Sequence, residues 1–326
     1  MTALALTALL AGGLITLAIA GPWLLRQAAP TLVRIPRLAI ALTSTGVVAW
    51  LGSLLAVGPV LAWAGSGPAL LPEPAAAVCR RCLAAATPFG LDASSTAVPA
   101  ALLLALPAAF GLTLATSLAS HVLHRERRSR HAAEGLLLAA RRRIIRGHTV
   151  SVIDSDHPFA LALPRRHGGV LLSTGALATL DAVELDAVLA HEQAHLRQHH
   201  HAINMLVTSL AALLRWVPLI RAAADALPHY LEIAADDQAR RRTSTSALVS
   251  ALVKLSNPSG HSVPPHAPAE ALHAAAGPSR VRQLVQPAVG PTGTIPTVLA
   301  GLYVAALAVI GAAAHAPYLV AALTGC

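Results

Sequence analysis

The run His191-Glu192-Gln193-Ala194-His195 sets two imidazoles four positions apart, with a carboxylate between them. On a helix, residues four apart share one face, one turn apart. Two ring nitrogens so placed can bind one divalent ion at about 2.0–2.1 Å each. Glu192 follows the first histidine directly, within reach of a water beside the ion, and can take its proton. One rigid element thus supplies two ligands and a general base. The chain has 16 histidines, and chance would produce this pattern only about 0.02 times in such a sequence. The bland alternative is a solvated helix that happens to carry two histidines. Ala187-Val188-Leu189-Ala190 make the entry to the motif apolar and argue for burial instead.

A catalytic zinc site takes three protein ligands and keeps one position open. His199 lies two turns beyond His191, so on one straight helix it cannot reach the same ion. The His199-His200-His201 cluster reads as a polar, partly exposed helix end. Downstream, Leu231-Glu232-Ile233-Ala234-Ala235-Asp236 has the pattern of a second helix whose small residues allow close approach. Glu232 can supply the third ligand. Asp236, one turn later, can accept the second ring N–H of a metal-bound histidine and so fix its tautomer. Glutamate is usually an exposed helix charge, but the Leu, Ile and Ala neighbours favour burial here. His229 and Tyr230 precede Glu232, and either could stabilise an oxyanion.

These residues need elements to position them. Asp181 with Glu184 three residues on forms a capping box that opens a long helix, from about Ala182 to beyond His201. Ahead of it, Thr149–Ile153, Phe159–Leu163 and Val170–Ser173 read as short strands. Phe159–Leu163 reads either as a sheet edge open to substrate backbone or as a simple structural hairpin. Glu134–Arg146 reads as a helix with an arginine face. Asn204–Ile220 is apolar enough to suggest a further span, but Arg215 and Pro218 weaken that. A crossing there would also separate His195 from Glu232 by a bilayer. A buried or membrane-touching helical hairpin is expected instead.

Apolar residues make up 55% of the 326-residue chain and charged residues 12%, with a mean hydropathy of +0.61. Soluble domains carry about 25% charge, so a membrane protein is expected. Four stretches are long and apolar enough to span a bilayer, which takes about 20 residues: Leu4–Leu25, Leu38–Ala64, Val98–Val122 and Ile295–Ala322. Met1-Thr2-Ala3 lacks Lys or Arg, so the first reads as a retained span rather than a signal peptide. Positive residues set the orientation. Arg26, Arg34 and Arg37 lie between the first two spans. Arg125, Arg127, Arg128 and Arg130 follow the third, with Arg141, Arg142, Arg143 and Arg146 after them. Both termini are then outside and the segment after the third span is cytoplasmic. The expected division is 1–122 for three spans, 123–291 for a cytoplasmic domain, and 292–326 for the fourth span. The net charge of +9 could suggest nucleic acid. Aromatic residues are only 3%, and base-stacking surfaces need them, so direct nucleic-acid binding is not expected. Cys79, Cys82 and Cys326 are too few for a disulfide scaffold. Cys79 and Cys82 fall on the expected outer side, where a disulfide or redox sensor is one reading and an incidental pair the other.

The run Glu184 to Leu196, then Glu232-Ile233-Ala234-Ala235-Asp236-Asp237, resembles gluzincin integral-membrane peptidases. The likeness is to the antirepressor type of bacterial β-lactam sensor-transducers, then to heat-shock-type and CAAX-prenyl-type membrane proteases. It covers roughly Gly147 to Leu284. The resemblance implies a mainly α fold: four transmembrane helices and a zincin-like helical peptidase domain with a small β-sheet. It implies one Zn²⁺ held by His191, His195 and Glu232, with Glu192 as catalytic base and Asp236 in support. Arg280 or Arg282 matches an arginine kept late in that domain. Sensor-transducers continue into a penicillin-binding domain after the last span, where this sequence stops at Cys326. The implied partners are the lipid bilayer and a protein or peptide substrate, a transcriptional repressor among the candidates, with self-cleavage near Arg125–Arg146 as a further expectation. A membrane-protein quality-control protease is the alternative. A membrane signalling protein that binds zinc without cutting is the alternative of another class.

Overall fold

A computed structural model describes residues 3–62, 100–255, 272–273, 284–285 and 292–324. The sequence expectations for Cys79, Cys82, Cys326, Arg280 and Arg282 lie outside these residues. Within them the chain is mainly α, with four helices long and apolar enough to cross a membrane and one small mixed sheet.

The spanning helices are α1 (Ala3–Leu32), α2 (Pro36–Ala62), α3 (Ala100–Leu138) and α9 (Thr294–Thr324). Apolar side chains over the length a bilayer core requires make these helices. Their contacts are close. Trp50 Nε1 donates to the Leu14 carbonyl at 3.0 Å, and Ser53 Oγ to the Leu307 carbonyl at 2.8 Å. The first joins α1 to α2 and the second α2 to α9. Small residues let the backbones meet. A Cβ added at Gly58 of α2 would collide with the carbonyl oxygen of Leu103 of α3.

The helix α3 runs past its apolar part and stops at Leu138. Strand β1 (Ala140–Ile145) then pairs antiparallel with β2 (His148–Ile153). This corrects the expectation of a helix over Glu134–Arg146. Arg141, Arg142 and Arg143 lie on a strand, opposite Val152, Ser151 and Val150. The cause is the two-residue loop Arg146-Gly147, both at positive φ (52° and 77°), which is the hairpin-forming turn geometry. The other strands are β3 (Ala160–Ala162), β4 (Val170–Ser173) and β5 (Leu272–His273). The order is β1-β2-β4-β3-β5, with β2 and β4 parallel and the other pairs antiparallel. Strand β3 is therefore internal, because Leu161 and Ala162 pair with His273 and Leu272. Of the two readings of Phe159–Leu163, the open edge is not found among the described residues.

Five more α-helices follow: α4 (Thr174–Thr179), α5 (Ala182–Arg197), α6 (His200–Leu213), α7 (Pro218–Arg240) and α8 (Thr245–Leu255). The capping box is present. Asp181 Oδ1 accepts from the Val183 and Glu184 N–H groups at 2.8 and 2.9 Å, and Glu184 Oε2 accepts from the Asp181 N–H at 2.8 Å. Glu184 also receives Ser250 Oγ at 2.6 Å and Lys254 Nζ at 2.7 Å, so the cap of α5 anchors α8 as well. Burial pushes the Glu184 carboxyl up. The hydrogen bonds from Lys254, Ser250 and the Asp181 backbone outweigh that and hold it below its ordinary value.

The expected helix from Ala182 to beyond His201 is broken. Helix α5 ends at Arg197, and His199 adopts a left-handed conformation (φ 54°), which turns the chain into α6. Few non-glycine residues adopt it, histidine among the more tolerant. Helices α6 and α7 form the expected hairpin, turning at Leu214–Val217. Its apolar side packs among the spans. Leu210, Leu214, Val217, Leu219 and Ile220 share one cluster with Leu14, Leu17, Val47 and Trp50.

Candidate metal centre

The centre is built from α5 and α7, which pack against each other. The sequence produces this locally by burying Ala187, Ala190, Ala194, Ala234 and Ala235. Short side chains bring the helix axes close enough for groups on both to share one point. His191, Glu192 and His195 are each 2% exposed or less, and Glu232 and Asp236 are buried too.

The distances test whether this donor set fits an ion. His191 Nε2 and His195 Nε2 are 3.1 Å apart. Glu232 Oε2 lies 3.5 Å from His191 Nε2, and Oε1 lies 3.4 Å from His195 Nε2. A tetrahedral ion with bonds of about 2.0–2.1 Å separates its ligand atoms by about 3.3–3.4 Å. The two ring nitrogens are within a few tenths of an ångström of this, and Glu232 reaches each with a different oxygen. One ligand atom from each of the three residues lies within 4.8 Å of the others, in a buried group.

Proton bookkeeping points the same way. His191 Nδ1 is 3.0 Å from Asp236 Oδ1. A carboxylate only accepts, so Nδ1 carries the proton and Nε2 presents a lone pair. His195 Nδ1 is 3.0 Å from His200 Nδ1. With the proton of that contact on His195, its Nε2 also presents a lone pair. Two lone pairs and a carboxylate then converge, which is unfavourable without a cation. The donor set of two imidazoles and one carboxylate suits zinc.

His200 is the residue that sequence reasoning missed. The sequence places it on a polar, partly exposed helix end, yet His200 is 1% exposed and His201 7%. The left-handed His199 swings α6 back, so that the His200 ring stands edge-on to His195, centroids 4.9 Å apart. Burial pushes His200 down to about 3, so it is neutral at physiological pH. A neutral ring can accept the His195 N–H. The signal available was the triple histidine itself. A buried His200 five residues after His195 requires a helix break between them.

Of the two oxyanion candidates, Tyr230 is buried in the apolar cluster that contains Ala28, Leu32 and Ala39, whereas His229 is exposed. A cavity of about 290 Å³ reaches His195 from outside, lined among others by Glu126, Arg165, Arg166 and His201. Its rim is fixed by Glu126, which meets Arg166 Nη2 at 2.6 Å and His167 Nε2 at 3.1 Å.

Four apolar spans beside a buried two-histidine, one-carboxylate cluster define a membrane-associated protein with a group that could hold a metal ion. Comparison with known families narrows this: the model of BlaR1 peptidase M56 matches residues 75–277, more than half of the chain. The chain belongs to this peptidase family. It is also similar to curated relatives. A protease HtpX homolog from Acidiphilium cryptum is 43% identical over 65 residues, 19% of this chain and 22% of that protein. One from Thermodesulfovibrio yellowstonii is 33% identical over 70 residues, 21% of this chain and 25% of that protein. The matches to these two relatives therefore span a quarter of their length or less. No solved structure matches the chain.

Proposed function

We propose that the protein is a membrane-bound zinc metalloendopeptidase, with zinc on His191, His195 and Glu232. The observation that carries this reading is the convergence of the two Nε2 atoms, 3.1 Å apart, with the Glu232 carboxylate, whose two oxygens lie 3.5 and 3.4 Å from His191 and His195. Bound zinc would supply a Lewis acid and a water whose pKa is brought near 7. The chain's own residues do the rest. Glu192, buried between the two histidines, takes a proton from the attacking water. The water oxygen bonds to the carbonyl carbon of the substrate and the C–N bond breaks. Glu192 then delivers that proton to the departing amine nitrogen. Asp236 holds the His191 ring in the tautomer and orientation that free Nε2.

The peptidase segment, 123–291, is assigned to the cytoplasmic side because Arg125, Arg127, Arg128 and Arg130 follow the third span. On that side a cytoplasmic transcriptional repressor is the proposed substrate, which would make the protein a signal transducer. A second reading, a quality-control protease acting on many membrane proteins, draws on the similarity to the HtpX homologs.

The test is purification with metal analysis, followed by proteolysis of a casein-type substrate. One zinc per chain and cutting lost in Glu192→Gln are expected. Zinc binding without any cutting would instead make the protein a non-catalytic zinc-binding membrane signalling protein. For the substrate, a reporter under the repressor should respond in wild type and stay silent in Glu192→Gln. Equal silence in both would count against the repressor.

A further inference from the structure

The α6–α7 hairpin carries charge and packs on the spans. Arg125, just past the apolar part of α3, donates Nη1 to Thr208 Oγ1 on α6 at 2.8 Å. Arg215 and Trp216 at the hairpin tip lie seven and eight residues beyond Thr208. Leu219 packs onto Gly21 of α1 so closely that a Cβ there would come within 2.5 Å of its Cδ1.

The outer side of the tip is not apolar. Between α6 and α7 lies a cavity of about 730 Å³, lined by Thr208, Arg215, Trp216, Arg221 and Asp225 together with three alanines. Arg215 is exposed and Trp216 is 69% exposed. Arg221 and Asp225 are each 75% exposed, with Nε and Oδ2 4.0 Å apart. Leu214, Val217, Leu219 and Ile220 are buried toward the spans, and the charged residues lie on the opposite face. Arginine and aspartate are costly against lipid tails unless they snorkel to the interface or find a partner.

We propose that this cavity is a binding site for the phosphate headgroup of a phospholipid, in the leaflet on the side of the metal centre. Two guanidinium forks suit phosphate oxygens. The tryptophan has the amphipathic ring found at membrane interfaces. Two arginines and one aspartate leave one positive charge in excess, which matches the single negative charge of a phosphodiester. The volume is that of a small-molecule site, enough for a headgroup and its glycerol. The alanines of the wall, Ala211, Ala212 and Ala224, suit the first methylenes of acyl chains and offer nothing to a free hydrated anion. The proposal needs only the spans and the hairpin, not the peptidase reading.

The full chain in detergent is given phosphatidylglycerol, and retained lipid is counted by native mass spectrometry. One retained lipid per chain is expected, with binding at least about tenfold weaker in Arg215→Gln/Arg221→Gln. Equal retention by the double variant, equal retention of phosphate-free diacylglycerol, or displacement by millimolar inorganic phosphate would each overturn the site. Should the double variant fail to accumulate, a phosphatidylglycerol with a photoreactive headgroup is cross-linked to the wild-type chain. Adducts between residues 208 and 225 are expected, and adducts confined to other segments would overturn it. Zinc content measured on the same samples keeps failure of the metal reading separate.

Discussion

His191 Nδ1 and Asp236 Oδ1 sit 3.0 Å apart across the α5–α7 interface, both buried. The carboxylate stands behind the ring, on the opposite nitrogen from the one that faces His195 and Glu232. Asp236→Asn keeps the shape but presents an amide that can offer N–H where the ring needs an acceptor. Zinc affinity should fall about 10- to 100-fold, read by competition with a chelator, and unchanged affinity would refute the supporting role.

His200 stands in the same relation to His195. His200→Phe keeps the buried ring and deletes the acceptor for the His195 N–H. The expected loss of zinc affinity is again about 10- to 100-fold, with the helical circular-dichroism signal unchanged. Equal affinity would make His200 a packing residue.

Glu192 has a different signature. Glu192→Gln should lower the rate of peptide hydrolysis by about 10²- to 10⁴-fold, while the zinc content stays at one per chain. A variant that loses both would make Glu192 a structural group rather than the base.

The tie between Glu184, Lys254 and Ser250 yields a pH prediction. The folded state holds the Glu184 carboxyl below its ordinary 4.5. The folded state therefore binds its proton less readily than the unfolded chain does. The stabilisation is fully present above about pH 4.5 and is lost as pH falls through the lower, folded value. In acid titrations Lys254→Met should shrink this pH-dependent part. Identical acid profiles for the two proteins would refute the assignment.

Two glycines should separate by what their missing side chains would strike. Gly58→Ala drives a methyl into the Leu103 carbonyl, a backbone atom that cannot step aside. It should cost about 1–3 kcal/mol, visible as a lower melting temperature. Gly21→Ala meets the end of the Leu219 side chain instead, which can rotate away. The reverse order of melting temperatures would contradict the packing of α2 on α3.

Legibility from sequence followed the range of the interaction. The capping box at Asp181, the histidine pair at 191 and 195 and the four spans depend on residues within a turn or on continuous composition. Glu232 and Asp236 were readable because their apolar neighbours betrayed a buried helix. Arg141–Arg143 misled, since arginines are good helix formers and only the glycine after Arg146 marked the hairpin. The covering of β3 by Leu272–His273 arises from a pairing more than a hundred residues away, which no local pattern encodes. His200 was hidden by one backbone angle at His199.

Helix α7 runs for 23 residues, about 35 Å, with Pro228 inside it. Its first turn rests against the spans and its fourth presents Glu232. A proline within a helix removes one i→i−4 hydrogen bond and kinks it. The turn just ahead of Glu232 is therefore the softest link between the spans and the histidine–carboxylate cluster.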